Sequence, residues 1–263
     1  MTSRLALVGG GNMGAALLGG LIKGGWARAE ELAVVEVSAP RRDALKQQFP
    51  GVHVVATLIG PCQGAVIAVK PGDVATAIAT AVAAGATQVL SIAAGVSIAR
   101  LESAAGEGVA VVRSMPNTPA LVGQGAAAIA GGSSATNADL EWAEGILSAV
   151  GTVVRVPEYQ LDAVTGLAGS GPAYVFLIAE ALIDAGVLAG LARPVAEALV
   201  TQLLIGSAAL LAERGDAAQL RAMVTSPGGT TAAGLRLLEE HGVRSAMLEA
   251  VMAATARSRE LAG

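Results

Sequence analysis

Short apolar runs alternate with longer stretches of helical pattern over the first 155 residues of the chain. The runs are mostly continuous, which is typical of parallel strands covered on both faces, with crossover helices between them. The pattern therefore predicts an α/β fold. Six runs are expected to be strands, at 4–8, 32–37, 52–56, 65–69, 88–92 and 109–112, and two added strands, at 123–130 and 152–156, should flank a helix at 137–150.

Beyond residue 157 the strand signals stop and the pattern becomes helical. Pro172 and Pro194 fall where the first turn of a helix tolerates proline, and Asp216 is expected to cap another helix. We therefore predict an α/β domain in 1–156 and an all-α domain in 157–263. The expected helices cover 172–188, 194–213, 216–224, 231–241 and 243–261.

The helices of the second domain carry few charges. Across 173–188 only Glu180 and Asp184 are charged, and across 195–212 only Glu197 is. A domain of this size cannot bury several helices that are apolar nearly all round. The same domain of a second subunit is the simplest cover, so we expect an obligate homodimer built on 157–263, which a higher oligomer could extend.

Composition narrows the function classes. Of 263 residues, 53% are hydrophobic and 14% charged, against averages of about 45–50% and about 25% for soluble domains, which excludes disorder. A net charge of -4 without a basic block gives no attraction for nucleic acid or anionic lipid. One cysteine, Cys62, with His53 and His241 is too few ligands for a structural zinc site, so no metal is expected.

A membrane span is the alternative that so apolar a chain raises. Residues 74–99 carry no charge and are long enough to cross a bilayer. The stretch breaks at Gly85 and Gly95, however, with Thr87 and Gln88 between them, which favours a helix, a turn and a buried strand. The first residues also lack the apolar run of a secretory signal. We expect a cytoplasmic protein.

A glycine fingerprint follows the first predicted strand. Gly9, Gly11 and Gly14 have GxGxxG spacing, in which the first allows a tight turn, the second admits a pyrophosphate and the third permits close helix–strand packing. Its position inside a βαβ pattern predicts a Rossmann-type dinucleotide site, against the alternative of a mere glycine-rich turn. The residues expected to contact the cofactor here are Gly9, Gly10, Gly11, Asn12, Met13 and Gly14.

The end of the second strand gives two signals about the dinucleotide. A carboxylate such as Glu36 usually binds the ribose 2′-hydroxyl of NAD, whereas arginine accommodates the 2′-phosphate of NADP. By strand alternation Glu36 could point into the sheet faces, while Ser38, Arg41 and Arg42 fall in the following loop. A hydroxyl beside two arginines suits a phosphate, so NADP(H) is favoured, with a solvated helix start as the alternative.

Other strand ends should line the same cleft, because ligands of open α/β sheets bind outside the carboxyl ends of the strands. Lys70 could be read as a catalytic base, but a strand-end lysine followed by proline more often shapes a loop. The residues expected to contact the cofactor are Ala68, Val69, Lys70, Pro71, Ile92, Ala93, Ala94 and Asn117.

Taken in order, the motifs GGGNMG, AVKP, SIAAGVS, MPNTP, AVTGLAGSGPAY and TSPGGTTAAGL resemble pyrroline-5-carboxylate reductase, and the likeness continues through RSAMLEAVMAATARSRELA. The resemblance implies a Rossmann domain that binds NAD(P)H, usually NADPH, and an all-α domain that forms an interlocked dimer. It also implies the last step of proline biosynthesis, hydride transfer to C5 of the cyclic imine 1-pyrroline-5-carboxylate to give L-proline.

The segment SPGGTT, residues 226–231, suits a small carboxylate, because glycines and hydroxyl residues at a helix start present backbone N–H groups and a positive dipole end. The resemblance implies that Thr231 bonds the imine nitrogen and that Gly229 and Thr230 hold the carboxylate. It also implies an acidic residue at the site, Glu213, although its spacing to Ser226 is one residue longer here. The plain alternative is a turn with an N-cap. The expected substrate contacts are Glu213, Ser226, Gly228, Gly229, Thr230 and Thr231, with Thr231 catalytic.

The chain departs from the family pattern at one further point. Family members often have an asparagine after the third strand that contacts the adenine ribose, where this chain has Val55, Ala56 and Thr57.

Other features separate this interpretation from its rivals. Gly169 to Pro172 lacks the spacing of a hydrolase elbow, and Ser170 is interpreted as an N-cap. A β-hydroxyacid dehydrogenase would place a catalytic lysine in the helical domain, and no lysine follows residue 157. A non-catalytic NADP-sensing dimer would have no use for SPGGTT.

Overall fold

The computed structural model describes residues 3–58 and 60–262, except the side chain of Ala262. The chain forms two compact units. One comprises the chain up to Ser170 together with the stretch from Ala253, and the other is Gly171–Met252. The predicted domain limits, 1–156 and 157–263, stay a prediction.

The first unit is built on one eight-stranded sheet in the order β3-β2-β1-β4-β5-β6-β7-β8. Neighbouring strands are parallel except β6 and β7, which run antiparallel. The predicted parallel-dominated α/β architecture is confirmed. The strands are β1 Ser3–Val8, β2 Leu32–Val35, β3 His53–Val55, β4 Cys62–Ile67, β5 Gln88–Ser91, β6 Ala110–Met115, β7 Gly125–Gly131 and β8 Gly151–Arg155.

Both faces of the sheet are buried, which explains the continuous apolar runs. In β1, Leu5 and Leu7 belong to one apolar cluster while Ala6 and Val8 belong to another on the opposite face. Each fully buried leucine contributes about 1.5–3 kcal/mol relative to exposure, so a single strand stabilises two layers of packing. The covering helices are α1 Asn12–Lys23, α2 Ala39–Gln48, α3 Val74–Ala83, α4 Ile98–Ala105 and α5 Asn137–Leu147.

The strand order reverses beside β1, because β2 and β3 lie on one side of it and β4 and β5 lie on the other. In such sheets this switch point opens a crevice at the carboxyl ends of the strands. The stretch 74–99 is a helix, α3, and a strand, β5, joined by a turn in which Gly85 has φ +92°, as its polar break predicts.

The second unit is helical, as predicted beyond residue 157. Asp216 caps α9 as expected, since its carboxylate accepts from the N–H groups of Ala218 at 2.9 Å and Gln219 at 3.0 Å. The helices are α7 Gly171–Leu188, α8 Arg193–Arg214, α9 Ala217–Met223, α10 Thr230–Glu240 and α11 Val243–Ala262, whose last turns belong to the first unit.

Apolar side chains remain uncovered on α7 and α8 in the single chain. Within the described residues α7 buries none of its side chains, and α8 buries only Ala196 and Val200. Two helical stretches, Glu158–Leu188 and Arg193–Arg214, are long and apolar enough to cross a membrane by length and composition alone, which is weak evidence. The exposed residues include Phe176, Leu177, Leu199, Leu203 and Ile205.

The start of α7 differs from the prediction. Ser170 has right-handed helical backbone angles, φ -85° and ψ -23°, instead of the extended backbone of an N-cap. The helical path begins upstream, with α6 Leu161–Val164 and a π-helical turn at Thr165–Gly169. The N-cap prediction for Ser170 is therefore wrong. The glycines of this segment have low helix propensity, which disfavours the helix that tertiary packing stabilises here.

Candidate active site

The glycine fingerprint lies between β1 and α1, and each glycine has a separate steric reason. A Cβ at Gly9, where φ is +112°, would lie 2.3 Å from the carbonyl oxygen of Ala68. A Cβ at Gly14 would lie 2.2 Å from the carbonyl oxygen of Gly9. A Cβ at Gly11 would meet nothing within 4 Å. Two glycines are thus required by the fold, and the third leaves open space at the start of α1.

That open space suits an anionic group. Helix α1 begins after Gly11 with no side-chain cap from any described residue and no acidic residue in its first turn. The first N–H groups of a helix carry the positive end of its dipole and bind phosphate well. The residues present therefore fit the pyrophosphate of a dinucleotide, with Asn12, Met13 and Gly14 supplying the first turn.

Glu36, at the end of β2, is turned toward the glycine loop. One carboxylate oxygen accepts from the N–H of Gly10 at 3.1 Å, and the other accepts from the N–H of Ser38 at 2.8 Å. The sequence suggested that Glu36 could point into the sheet faces. In the structure it instead connects the glycine loop after β1 with the loop after β2, both of which are predicted to contact the cofactor.

Arg41 and Arg42 lie in the first turn of α2, so the prediction that they fall in the loop after the second strand is wrong, since the helix begins at Ala39. Both side chains contact backbone carbonyls. Arg41 donates from Nε to the carbonyl oxygen of Gly10 at 2.7 Å and from Nη2 to that of Gly11 at 3.4 Å. Arg42 donates from Nη1 to the carbonyl oxygens of Glu36 at 2.9 Å and Val37 at 2.8 Å. Each guanidinium group keeps further N–H groups that could bind an anion.

The other predicted strand ends flank the same switch point. The N–H of Ala68 donates to the carbonyl oxygen of Val8 at 2.8 Å, which places the end of β4 beside the glycine loop. Lys70 is exposed and precedes the short turn Pro71–Asp73, in keeping with a loop-shaping role. The segment Ile92, Ala93 and Ala94 follows β5, with Ala93 buried and Ala94 exposed.

Asn117 follows β6, and both polar groups of its side chain are engaged within the protein. Its Nδ2 donates to the carbonyl oxygen of Ala168 at 3.0 Å, and its Oδ1 accepts from the N–H of Ala126 at 2.8 Å. The sequence could not reveal these partners, because both are distant along the chain.

In the second unit, the SPGGTT segment ends in an uncapped helix start. Gly229 precedes α10 with an extended backbone, and no described side chain caps the helix. Gly228 has φ +70°, and a Cβ at Gly229 would lie 2.4 Å from Ser226 Oγ. The positive φ of Gly228 therefore favours glycine in this turn, and a side chain at Gly229 would displace the Ser226 hydroxyl. Thr230 and Thr231 begin the helix with exposed side chains.

Glu213 lies on α8 and forms an exposed ion pair with its neighbour Arg214, at 3.2 Å. The predicted approach of Glu213 to residues 226–231 stays a prediction. Elsewhere, burial raises the pKa of the Cys62 thiol, so it stays protonated at neutral pH and is a poor nucleophile. Over residues 3–58 and 60–262 no three His, Cys, Asp or Glu side chains cluster to hold a metal ion.

Comparison with known proteins gives a consistent picture. Residues 158–261 match the family model "Pyrroline-5-carboxylate reductase dimerisation", and residues 4–95 match "NADP oxidoreductase coenzyme F420-dependent". The chain is 45% identical to a pyrroline-5-carboxylate reductase of Mycobacterium tuberculosis (strain H37Rv), over 98% of this chain and 97% of that protein. It is also 45% identical to a pyrroline-5-carboxylate reductase of Synechocystis, over 99% of both chains.

Two solved structures have the same fold over the full length. A pyrroline-5-carboxylate reductase from Coxiella burnetii superposes with a TM-score of 0.91 at 34% identity, covering 100% of both chains. The Plasmodium falciparum pyrroline carboxylate reductase with NADP bound superposes with a TM-score of 0.85 at 30% identity, covering 99% of this chain and 98% of that one.

Proposed function

The chain belongs to the pyrroline-5-carboxylate reductase family, and on that premise we propose the reaction that it catalyses and the residues that carry it. It is an oxidoreductase that reduces the cyclic imine 1-pyrroline-5-carboxylate to L-proline, the last step of proline biosynthesis. When bound, the reduced nicotinamide would supply the hydride for C5 of the imine. The observation that carries the proposal is the uncapped glycine start of α10, which suits the substrate carboxylate.

The substrate carboxylate binds at residues 226–231 through backbone N–H groups. A neutral amide cradle at a helix start stabilises one small anion without the desolvation cost of burying an arginine beside it. Gly228 and Gly229 allow the turn, and the exposed first turn of α10 presents its amides. The proposed substrate contacts are Glu213, Ser226, Gly228, Gly229, Thr230 and Thr231.

Thr231 orients the imine nitrogen. A neutral imine accepts hydride poorly, so the site must keep a proton on the ring nitrogen while it holds C5 in place. A threonine hydroxyl is a weak acid, and its donor and acceptor positions suit it better to hydrogen-bond the nitrogen or to relay a proton from water than to donate the proton alone.

The cofactor binds along the carboxyl ends of β1, β2, β4, β5 and β6. The glycine loop and the start of α1 hold the pyrophosphate, and this assignment is supported by the open space at Gly11. The proposed contacts are Gly9, Gly10, Gly11, Asn12, Met13, Gly14, Ser38, Arg41, Arg42, Ala68, Val69, Lys70, Pro71, Ile92, Ala93, Ala94 and the loop at Asn117.

NADPH is the preferred donor, with NADH accepted. Glu36 already accepts two backbone N–H bonds, so taking a ribose hydroxyl would require it to share or release one of them. Arg41 and Arg42 hold two positive charges at the backbone of the glycine loop and of residues 36–37, an environment that suits a 2′-phosphate.

The functional form is a homodimer in the cytoplasm, assembled through the helical part of the chain. The support is the family model for the dimerisation domain and the uncovered apolar side chains of α7 and α8. Covering such side chains on a partner is the usual way in which nearly charge-free helices remain soluble.

The deciding assay measures oxidation of NADPH and of NADH in the presence of 1-pyrroline-5-carboxylate, with chromatographic detection of proline. We expect turnover with both cofactors and a higher kcat/KM with NADPH. Cofactor binding without turnover of the imine would instead indicate a sensing module, and turnover of 3-hydroxy acids would indicate a β-hydroxyacid dehydrogenase.

A further inference from the structure

The side chain of Asn117 joins two parts of the first unit that are distant in sequence. It bonds the carbonyl oxygen of Ala168 through Nδ2 at 3.0 Å and the N–H of Ala126 through Oδ1 at 2.8 Å. The orientation of the amide is fixed by chemistry, because a carbonyl can only accept a hydrogen bond and a backbone N–H can only donate one. Nδ2 is the only hydrogen-bond donor of the Asn117 side chain, and it is bonded to the carbonyl oxygen of Ala168.

Ala168 needs that donor because of a proline. In an α-helix its carbonyl would accept from the N–H four residues later, and that residue is Pro172, which has none. A proline ring also crowds the carbonyl four residues before it, which opens the helix locally. Here the chain forms the π-helical turn Thr165–Gly169, in which the N–H of Ser170 donates to the carbonyl oxygen of Thr165 at 2.8 Å.

The π turn also packs against the last residue of β6, Met115. A Cβ at Gly169 would lie 2.5 Å from Cε of Met115, so only glycine allows this approach without a shift of the methionine. Upstream, Glu158 accepts from Arg113 Nη1 at 2.9 Å and from the N–H of Ile98 at 2.7 Å. The segment from 158 to 169 thus contacts the carboxyl end of β6 and the start of α4.

We propose that Asn117 is a positioning residue of the reductase, which supplies the hydrogen-bond donor that Pro172 lacks and so holds the π turn Thr165–Gly169 against the loop that follows β6. Its side-chain amide bonds Ala168 and Ala126 and makes no direct bond to the cofactor. Only the kinetic test of this inference rests on the proposed function; the structural test is independent of it.

The contact should matter for catalysis through geometry. The loop at 115–117 lies at the carboxyl edge of the sheet, where ligands of such sheets bind. Loss of the Asn117 bond leaves the Ala168 carbonyl without its donor and frees the loop and the turn together. Because small displacements in an active site lower the rate strongly, kcat should fall by much more than the affinity for NADPH, most of whose proposed contacts lie on other strand ends.

The structural test uses the protein without cofactor or substrate. Asn117→Asp keeps an acceptor for the N–H of Ala126 and removes only the donor, while Asn137→Asp adds the same charge at the exposed start of α5. Hydrogen exchange of amides 165–170 should become about tenfold faster in Asn117→Asp and stay unchanged in the control. Unchanged exchange in Asn117→Asp would overturn the proposal.

The kinetic test uses rescue by a second change. Asn117→Ala should lower kcat by about fivefold or more, with the NADPH dissociation constant within about twofold of the parent. Pro172→Ala restores an N–H four residues after Ala168, so the double variant Asn117→Ala, Pro172→Ala should regain slow exchange at 165–170 and most of the lost kcat.

Other results of the exchange and kinetic measurements would overturn the inference. Faster exchange with unchanged kcat would make Asn117 merely structural. An NADPH dissociation constant raised about tenfold, with exchange unchanged, would make Asn117 a direct cofactor contact. If the parent protein does not turn over the imine, the proposed function fails, while exchange in Asn117→Asp and in the double variant still decides whether Asn117 replaces the missing donor.

Discussion

At the residue scale, the acidic and basic side chains that follow β2 bond different backbone groups of the glycine loop. Glu36 satisfies two backbone N–H groups, and Arg41 satisfies the carbonyl of the same glycine, Gly10, that Glu36 bonds through its N–H. Charge-assisted bonds of this kind contribute about 1.5–3 kcal/mol each. Both polar groups of Gly10 are thus bonded by side chains from the segment that follows β2, Glu36 from its loop and Arg41 from the first turn of α2. The shape of the glycine loop therefore depends on the residues expected to discriminate between the cofactors.

The arginine pair gives the first prediction. Replacing both with Arg41→Ala and Arg42→Ala should raise KM for NADPH about tenfold or more, because a 2′-phosphate would lose its charged partners. KM for NADH should change by less than about threefold, because NADH has no 2′-phosphate and only the arginine bonds to backbone carbonyls are lost. Initial rates with both cofactors measure this, and Arg28→Ala, which removes an exposed pair with Glu31, is the control. Equal effects on both cofactors would exclude a 2′-phosphate site here.

Thr231 gives the second prediction. Thr231→Ala should lower kcat/KM for the imine by more than about tenfold, on the order of 1.4 kcal/mol of transition-state stabilisation. Thr231→Ser keeps the hydroxyl and should retain most of the activity, because the proposed role needs only that group. Steady-state kinetics of both variants measure the difference. If the alanine variant keeps the parent value, Thr231 is only a residue of the helix start.

At the scale of the element, α1 serves the fold and the ligand with different residues. Leu17, Leu18 and Leu21 are fully buried and anchor the helix on the sheet. Its N-terminal end has no side-chain cap, whereas α9 is capped by Asp216 and α5 by Thr136. An N-cap side chain is worth about 0.5–2 kcal/mol, so a helix start without one fits a ligand taking that place.

Two alanine substitutions in α1 test this division. Gly14→Ala would place its Cβ 2.2 Å from a backbone oxygen, so β1 and α1 must separate and cofactor affinity should fall by at least about tenfold. Gly19→Ala in the same helix would meet Phe49 at an ordinary 3.4 Å and should stabilise the helix by up to about 1 kcal/mol. Thermal unfolding and cofactor titration compare them. Normal cofactor affinity in Gly14→Ala would refute the steric role of Gly14.

At the scale of the whole molecule, the apolar excess has two sources. Within the first unit it lies in strands covered on both faces. On α7 and α8 it lies at the surface of the single chain, where Phe176 is 62% and Leu203 is 53% exposed. Exposed apolar side chains in such a row are unfavourable in water, which supports the proposed dimer.

A charge placed on α8 tests the proposed dimer. The double variant Leu199→Glu, Leu203→Glu should dissociate it. Each leucine that the dimer buries would contribute about 1.5–3 kcal/mol, and an unpaired carboxylate buried in its place would cost more. Leu121→Glu makes the same change at an exposed leucine outside the helical unit and should leave the mass unchanged. Sedimentation equilibrium measures both. A dimeric α8 variant would place the interface elsewhere.

Much of this protein follows from local sequence, because strand burial and glycine spacing are properties of neighbouring residues. The α/β fold, the helices after residue 157, the Asp216 cap and the glycine loop were all predictable on that basis. Long-range contacts decided the rest. The bond between Glu36 and Gly10 and the bond between Asn117 and Ala168 join residues that are distant in sequence. The helical backbone of Ser170 depends on packing that overrides the local preference for a turn.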